Sequence, residues 1–410
     1  TYHVDSSGPS FSSAPLAASA STCLKMCEAL KGRLLVPYRA AAPASPANSA
    51  ARVLPSRLPR QSPELLTTRQ TQFYEITQLL CFGSGSCLYS RGRLRRVERR
   101  SDGKDDRACR RRDVGVASAV ASTSMLQPCC AENPAPVPLS IGLGTCCLKG
   151  TDSLQQVLNG LQVGYRVVDT ASHYDNEVEV ATALKRAQLA RSDVFLITKI
   201  WFDDMGDRTA AAIQDSLCRL ETDYVDLLLM HFPGANDALQ SPGANRKRRE
   251  ETWRAMEDAK AKGQAKAIGV ANFTRRHLKE MFEYCRDPPA VLQTEIHPYF
   301  QQIKLVEFCR QKGIQVQSFS PLAHGELQLL EDKLLVKIAA KHEKTTAQVV
   351  LRWLVQQKIA PIVFSRSRKR LEENWAATGG FQLTDQEMAR IALLDRESEA
   401  RVGFDPNLIA

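Results

Sequence analysis

Between Pro136 and Ala410, short apolar runs alternate with longer segments whose apolar residues recur every three or four positions. The runs predict strands at Ile141–Thr145, Arg166–Thr170, Val194–Lys199, Val225–His231, Ala265–Asn272, Val291–His297, Ile314–Ser320 and Pro361–Ser365. Parallel strands covered on both faces read as such continuous stretches. The intervening segments predict helices. Leu154, Val157, Leu158 and Leu161 share one face after a cap at Asp152 or Ser153. Leu278, Met281, Phe282 and Cys285 follow Thr274, and Ala347, Leu351 and Leu354 follow Thr345 and Thr346. Eight strand–helix units over 275 residues fit an α/β (β/α)8 TIM barrel better than an open doubly wound sheet.

Residues 1–135 have a different texture. Ser, Ala and Pro dominate early, and RGRLRRVERR and RACRRR follow. This low-complexity, basic extension is expected to be disordered, because it offers too little apolar surface to offset chain entropy. Its 19 Lys and Arg against 10 Asp and Glu give +9, whereas 36 against 35 in 136–410 give +1, so the net +10 resides almost wholly in the extension. Three readings stay open for 1–124: a leader outside the mature protein, an organelle transit peptide, or a nucleic-acid-binding arm. The chain does not begin with Met, and Met125 precedes the patterned region.

No run approaches the roughly 18 apolar residues of a membrane span. The 12 cysteines include the adjacent pairs Cys129–Cys130 and Cys146–Cys147 but no CxxC and no zinc spacing. Adjacent cysteines do not easily bridge each other, so all are read as reduced thiols of an intracellular protein, with no metal site.

The predicted strand ends carry Thr145, Asp169, Lys199, His231, Asn272, Gln293, Glu295, Ser320 and Ser365. In a barrel these converge on the face where βα loops build active sites. Buried Lys199 needs a partner, and Asp169 can supply it. Tyr174 follows Asp169 by five positions, just before the run Asp175–Glu177 that opens a helix. A nearby ammonium is expected to lower its pKa. With His231 donating a hydrogen bond, the set could polarise a carbonyl and protonate it. GxSxG, HExxH and P-loop motifs are absent, and Gly142-x-Gly144 lacks the third glycine of a dinucleotide fingerprint. A carbonyl with a proton source still needs a hydride, for which a nicotinamide cofactor is the economical donor.

The motifs GLGT (142–145), GYRVVDTASHYDNE (164–177), TK (198–199), LLLMHFP (227–233), GVANF (269–273), LQTEIHP (292–298), SFSPL (318–322) and RLEEN (370–374) resemble the aldo-keto reductases in order and spacing. The resemblance spans 136–410 and implies an NADPH-dependent reductase of aldehydes or ketones. Its catalytic tetrad falls on Asp169, Tyr174, Lys199 and His231, with Tyr174 the general acid. Gly144, Thr145 and Asp169 line the cofactor side. Asn272 and Gln293 match the carboxamide contacts, Phe319 the ring stacked on the nicotinamide, and Ser320 and Leu322 the pyrophosphate loop. Ser365, Arg366, Arg370, Glu373 and Asn374 match the adenosine-phosphate segment. Tyr174, His231 and Trp201 would meet the substrate.

Three departures stand out. Ala271 replaces a usual Ser, Ala181 a common Gly, and Val363-Phe364-Ser365 a usual Pro-Lys-Ser. Arg366, Arg368 and Arg370 keep positive charge for a 2′-phosphate, so NADPH is favoured over NADH. The expected protein is a cytoplasmic monomer, or an organellar one if 1–124 are a transit peptide. It takes a small carbonyl substrate and binds neither membrane nor nucleic acid. The competing reading is a cofactor-binding regulatory or scaffold barrel with little activity. The loops Trp201–Asp207 and Gly234–Arg249 and the tail after Arg401 would shape an open pocket for small aldehydes or sugar-derived carbonyls. Elsewhere, His297 reads as a structural hydrogen-bonder, Trp253, Trp353 and Trp375 as packing residues, and Arg246–Arg249 as a solvated loop.

Overall fold

The computed structural model of the protein describes residues 137–234 and 242–410. The disorder expected of 1–135, the boundary at 136, the readings of 1–124 and part of the loop after Gly234 lie outside the described residues. Eight parallel strands form a closed barrel in sequence order: β1 (Gly142–Gly144), β2 (Val167–Asp169), β3 (Phe195–Ile200), β4 (Val225–Met230), β5 (Ala265–Ala271), β6 (Val291–Glu295), β7 (Gln315–Phe319) and β8 (Ile359–Val363). Closure is made by β1 on β8, with Gly142 opposite Ile362 and Leu143 opposite Val363. Every predicted strand is present.

Several predicted strands ran a residue or two long at their C-terminal ends. The polar residues there stand just outside the ladder, and Asn272 and Ser320 take left-handed backbone (φ 61° and 48°) that ends pairing. β8 instead begins two residues before the predicted Pro361. That proline, the first residue of the predicted strand, lies inside β8 opposite Ser318.

Alternation along the strands sorts the apolar residues into two layers. Val167, Ile197, Leu227, Leu229, Ala267, Val291 and Ile362 cluster with one another and fill the barrel interior. Leu196, Leu228, Met230, Ile268 and Leu292 instead join residues of the surrounding helices. Fully burying a Leu or Val side chain stabilises by about 1.5–3 kcal/mol, so these two layers hold the barrel together. At Gly269 the β5 backbone comes so close to β6 that a Cβ would lie 2.6 Å from the Val291 carbonyl oxygen. Only glycine fits there.

The helices are α1 (Gly150–Val163), α2 (Glu177–Arg186), α3 (Thr209–Arg219), α4 (Pro242–Ala261), α5 (Arg275–Met281), α6 (Ile303–Gln311), α7 (Lys333–His342), α8 (Thr346–Gln356), α9 (Arg368–Trp375) and α10 (Asp385–Ala392). The predicted caps of α5 and α8 are present: Thr274 and Thr345 accept from the backbone N–H of His277 and Gln348. The cap of α1 differs. The helix starts at Gly150 after Lys149, without a side-chain cap, so Asp152 falls within its first turn. The run Arg246–Arg249 is a second correction, since it forms part of α4. Arg249 is 1% exposed and pairs with both carboxylate oxygens of Glu280 at 2.9 Å. Helical periodicity brings one of these four basic residues inward, where a carboxylate offsets the cost of desolvating it. Trp253 and Trp353 are buried, and Trp375 packs on Tyr165.

Candidate active site

The C-terminal end of β2 delivers Asp169, and Tyr174 follows on a single turn at Ser172–Tyr174. Three hydrogen bonds from two side chains fix that turn and the segment after it. Ser172 Oγ donates to the Lys199 carbonyl (3.0 Å), and Asn176 Nδ2 donates to the carbonyls of Thr145 (2.8 Å) and Leu148 (3.0 Å). The loops after β1 and β2 and the end of β3 are thereby knitted into one frame. Within it, Lys199 is wholly buried and its three N–H donors all find acceptors: Asp169 Oδ1 at 2.6 Å, the Thr170 carbonyl at 2.8 Å and Tyr174 Oη at 3.4 Å. Asp169 Oδ2 accepts from Gln293 Nε2 at 2.7 Å. The expected partnership of Lys199 with Asp169 is therefore present, with Tyr174 as its third member.

The expected lowering of the Tyr174 pKa is not. Burial holds the phenol well above its ordinary 10.0, and Cys146, Asp169 and Cys147 push the same way. Lys199 lies closer to Asp169 than to the phenol, so its charge is largely offset by the carboxylate. Tyr174 is held as a proton carrier.

His231 stands at the end of β4. Its backbone N–H donates to the Ile200 carbonyl at 3.0 Å, and its own carbonyl accepts from Asn272 Nδ2 at 2.9 Å. The imidazole meets the Tyr174 ring edge-on, with centroids 5.6 Å apart. Burial, then Lys199 and His173, hold it well below 6.5, so the ring is neutral at neutral pH. Its Nδ1 is buried with no hydrogen-bond partner among the described residues.

Trp201 stacks on His173 (centroids 3.7 Å, 5°) and contacts His231 (5.0 Å) and Phe232 (5.6 Å). Trp201 thus packs against the ring of His231, beside the Tyr174 phenol. Phe232 reaches Phe404 of the tail at 6.0 Å. That tail is clamped by Glu295, which accepts from the N–H groups of Val402 and Gly403, both at 2.7 Å, and from His297 at 3.1 Å. His297 is thus a structural hydrogen-bonder. The clamp was not visible in the sequence, because it joins residues more than a hundred positions apart. His173 and Phe404 also escaped, because each becomes informative only beside its partner, Trp201 and Phe232 respectively.

The residues matched to cofactor contacts fall into two groups. Gly144, Thr145, Asn272 and Gln293 are buried at the barrel mouth with Asp169. Thr145 donates to the Asp169 carbonyl from both its N–H and its hydroxyl. The amide donors of Asn272 and Gln293 are engaged with His231, Asp169 and Gln317, whereas no described residue occupies Asn272 Oδ1 or Gln293 Oε1. Half-buried Phe319 ends β7, and the next residue, Ser320, shares a short hydrogen bond with His324. Leu322 is partly buried and packs its side chain against the core. In the second group, Ser365 lies buried after β8 and its hydroxyl accepts from the Ser367 N–H. Arg366 and Arg370 are exposed, with no carboxylate partner among the described residues, whereas Arg368 is tied to Glu372. Glu373 and Asn374 sit on α9, where the Glu373 carbonyl accepts from Gln348. The departures Ala271 and Ala181 are buried and Phe364 is exposed.

The family model described as the aldo/keto reductase family matches residues 140–396. The chain belongs to this family. Among curated relatives of this aldo-keto reductase, a glyoxal reductase of Bacillus subtilis is 37% identical over 268 residues, covering 65% of this chain and 91% of that protein. A 9,11-endoperoxide prostaglandin H2 reductase of Trypanosoma cruzi is 37% identical over 270 residues, covering 65% and 90%. Solved relatives include a variant of Gox0644 crystallised with NADPH (37% identity, 65% and 93% coverage, TM-score 0.59). A Bombyx mori aldo-keto reductase in complex with NADP is 29% identical, with 66% and 92% coverage and a TM-score of 0.60. Among the described residues no helix is long and apolar enough to cross a membrane.

Proposed function

We propose that this aldo-keto reductase reduces small aldehydes or ketones to alcohols with NADPH, using the barrel of 136–410. One observation carries the reading: a phenol that keeps its proton touches a buried, carboxylate-paired ammonium and faces a neutral imidazole. The cofactor fits the residues present. Asn272 Oδ1 and Gln293 Oε1 are open acceptors for an amide, Phe319 offers a ring face, and Arg366 and Arg370 are uncommitted cations suited to a 2′-phosphate. When bound, the nicotinamide supplies the hydride. Tyr174 donates its proton to the carbonyl oxygen, and the Lys199 ammonium stabilises the phenolate left behind. His231 orients that oxygen by donating a ring N–H, and Asp169 holds Lys199 in place. Trp201 and Phe232 bound the cleft and keep water from the reacting carbon. Relatives named glyoxal and methylglyoxal reductases favour small α-oxoaldehydes within this class.

The test is NADPH consumption, followed by absorbance, with glyoxal, methylglyoxal and a panel of other small aldehydes. Tyr174→Phe keeps the ring and its packing and removes only the donor. It should lower kcat by about 10²–10⁴-fold, the usual contribution of a positioned general acid, and leave NADPH binding intact. A variant within threefold of the parent would sink the mechanism. Tight NADPH binding without turnover on any carbonyl would favour the regulatory barrel.

A further inference from the structure

The segment Thr145–Leu148 leaves β1 directly beside Tyr174, and it carries two adjacent thiols. Asn176 Nδ2 holds the carbonyls on either side of them, those of Thr145 and Leu148, at 2.8 and 3.0 Å. Between these anchors Cys146 is half-buried against the Tyr174 hydroxyl and Cys147 is exposed. Cys147 has a left-handed φ of 69°, a conformation that costs a non-glycine residue energy. The turn brings the two sulfurs to 3.0 Å, about 1 Å more than a disulfide bond. The expectation that adjacent cysteines resist bridging holds for an extended chain, which points neighbouring side chains apart. At this turn they meet. The remaining described thiols differ: burial pushes Cys285 up to about 11 and Cys309 to about 12, and Cys218 stands on α3 with no second cysteine beside it in sequence.

We propose that Cys146 and Cys147 form a redox dithiol that hydroperoxides close into a disulfide beside Tyr174 and that dithiol reductants reopen. In the first step the exposed Cys147 thiolate attacks the peroxide. An S–O bond forms, the O–O bond breaks and water leaves after protonation, giving a sulfenic acid. The Cys146 thiol then attacks that sulfur. The S–S bond forms, the S–O bond breaks and a second water leaves, so two thiols lose two electrons and hydrogen peroxide becomes two waters. A dithiol reductant returns two electrons and two protons through a mixed disulfide.

Reversibility follows from geometry. Adjacent Cα atoms are about 3.8 Å apart across a trans peptide, short of the roughly 4.4–6.8 Å of ordinary disulfides, and strained bonds of this kind reduce easily. Closure draws the Cys146 sulfur away from the Tyr174 hydroxyl inside a loop whose ends Asn176 holds. The effect on turnover rests on Tyr174 being the proton donor; formation of the bond does not.

The full chain is treated with hydrogen peroxide, alkylated and digested, and NADPH consumption is followed in parallel. The expected result is an unalkylated 146–147 peptide lighter by two hydrogens. Turnover should fall tenfold or more, on the order expected for a misplaced reacting group, and dithiothreitol should restore it. Cys147→Ser should start at parental activity and resist the oxidant. Both thiols remaining alkylatable after oxidation would overturn the bond. Equal, reversible inhibition of Cys147→Ser, or a bond that leaves turnover unchanged, would overturn the control of Tyr174. The mass readout needs no turnover, so failure of the dithiol is distinguishable from failure of the reductase reading.

Discussion

Lys199→Met tests the arrangement at its centre. The substitution keeps the length and volume of the side chain and removes the ammonium, leaving Asp169 with Gln293 as its remaining side-chain donor. At the observed 2.6 Å separation and an effective dielectric of about 20, the gross attraction lost is about 6 kcal/mol. Forming the pair also cost desolvation of both ions, so the net loss is smaller. Removing one partner of a buried pair typically costs about 3–5 kcal/mol, because the other is left charged and dry. For a domain of this size that corresponds to a fall in Tm on the order of 10 °C. Urea unfolding followed by tryptophan fluorescence measures it. The decisive comparison is Lys199→Met/Asp169→Asn, which removes the orphaned carboxylate and should recover about half of the stability or more, though none of the turnover. A double variant no more stable than Lys199→Met would refute the reasoning, since the loss would then come from packing and not from an unpaired charge.

Two further predictions follow from the site and its supports. His277 is held at about 4, chiefly by burial and then by Arg249, so between 6.5 and 4 the unfolded chain binds the proton that the folded chain refuses. Stability should therefore fall by about 3 kcal/mol as pH drops through that window, and His277→Gln, compared by urea unfolding at pH 7 and pH 5, should lose less than the parent; an identical loss would contradict the assignment. Arg370→Ala removes an exposed arginine that has no carboxylate partner among the described residues. NADPH should bind about tenfold more weakly, in line with one lost charge-assisted contact of about 1.4 kcal/mol, while NADH binding is unmoved; equal weakening of both would place the phosphate elsewhere.

The barrel was legible because its physics is local. Eight apolar runs bounded by polar residues need only chain order to be read as strands, and threonines ahead of α5 and α8 announce their caps without tertiary context. Errors arose where the third dimension overruled a local rule. Pro361 lies inside β8 although proline usually marks a strand's edge. Arg249 is buried although it belongs to a basic run, because Glu280, thirty-one positions away, meets its guanidinium. The Glu295 clamp on Val402 and Gly403 depends on two segments that only the closed barrel brings together.

The candidate site was legible as a set of residues that the fold brings together, and not as an electrostatic state. Asp169, Tyr174, Lys199 and His231 could be picked from strand ends and spacing, but whether Lys199 would act on the phenol depended on a competition that sequence does not reveal. The distances decide it: 2.6 Å to the carboxylate against 3.4 Å to the phenol. Lys199⁺ with Asp169⁻ is nearly neutral as seen from Tyr174, so burial governs the resting phenol and keeps its proton on. In the proposed reaction the balance changes once the proton has left. A phenolate beside the pair is a second anion competing for one ammonium, and it gains the attraction that the neutral phenol could not. The ion pair thus does little for Tyr174 before proton transfer and much during it, which is the differential stabilisation that lowers a barrier. A lysine that had already lowered the resting pKa would have spent part of that stabilisation in the ground state.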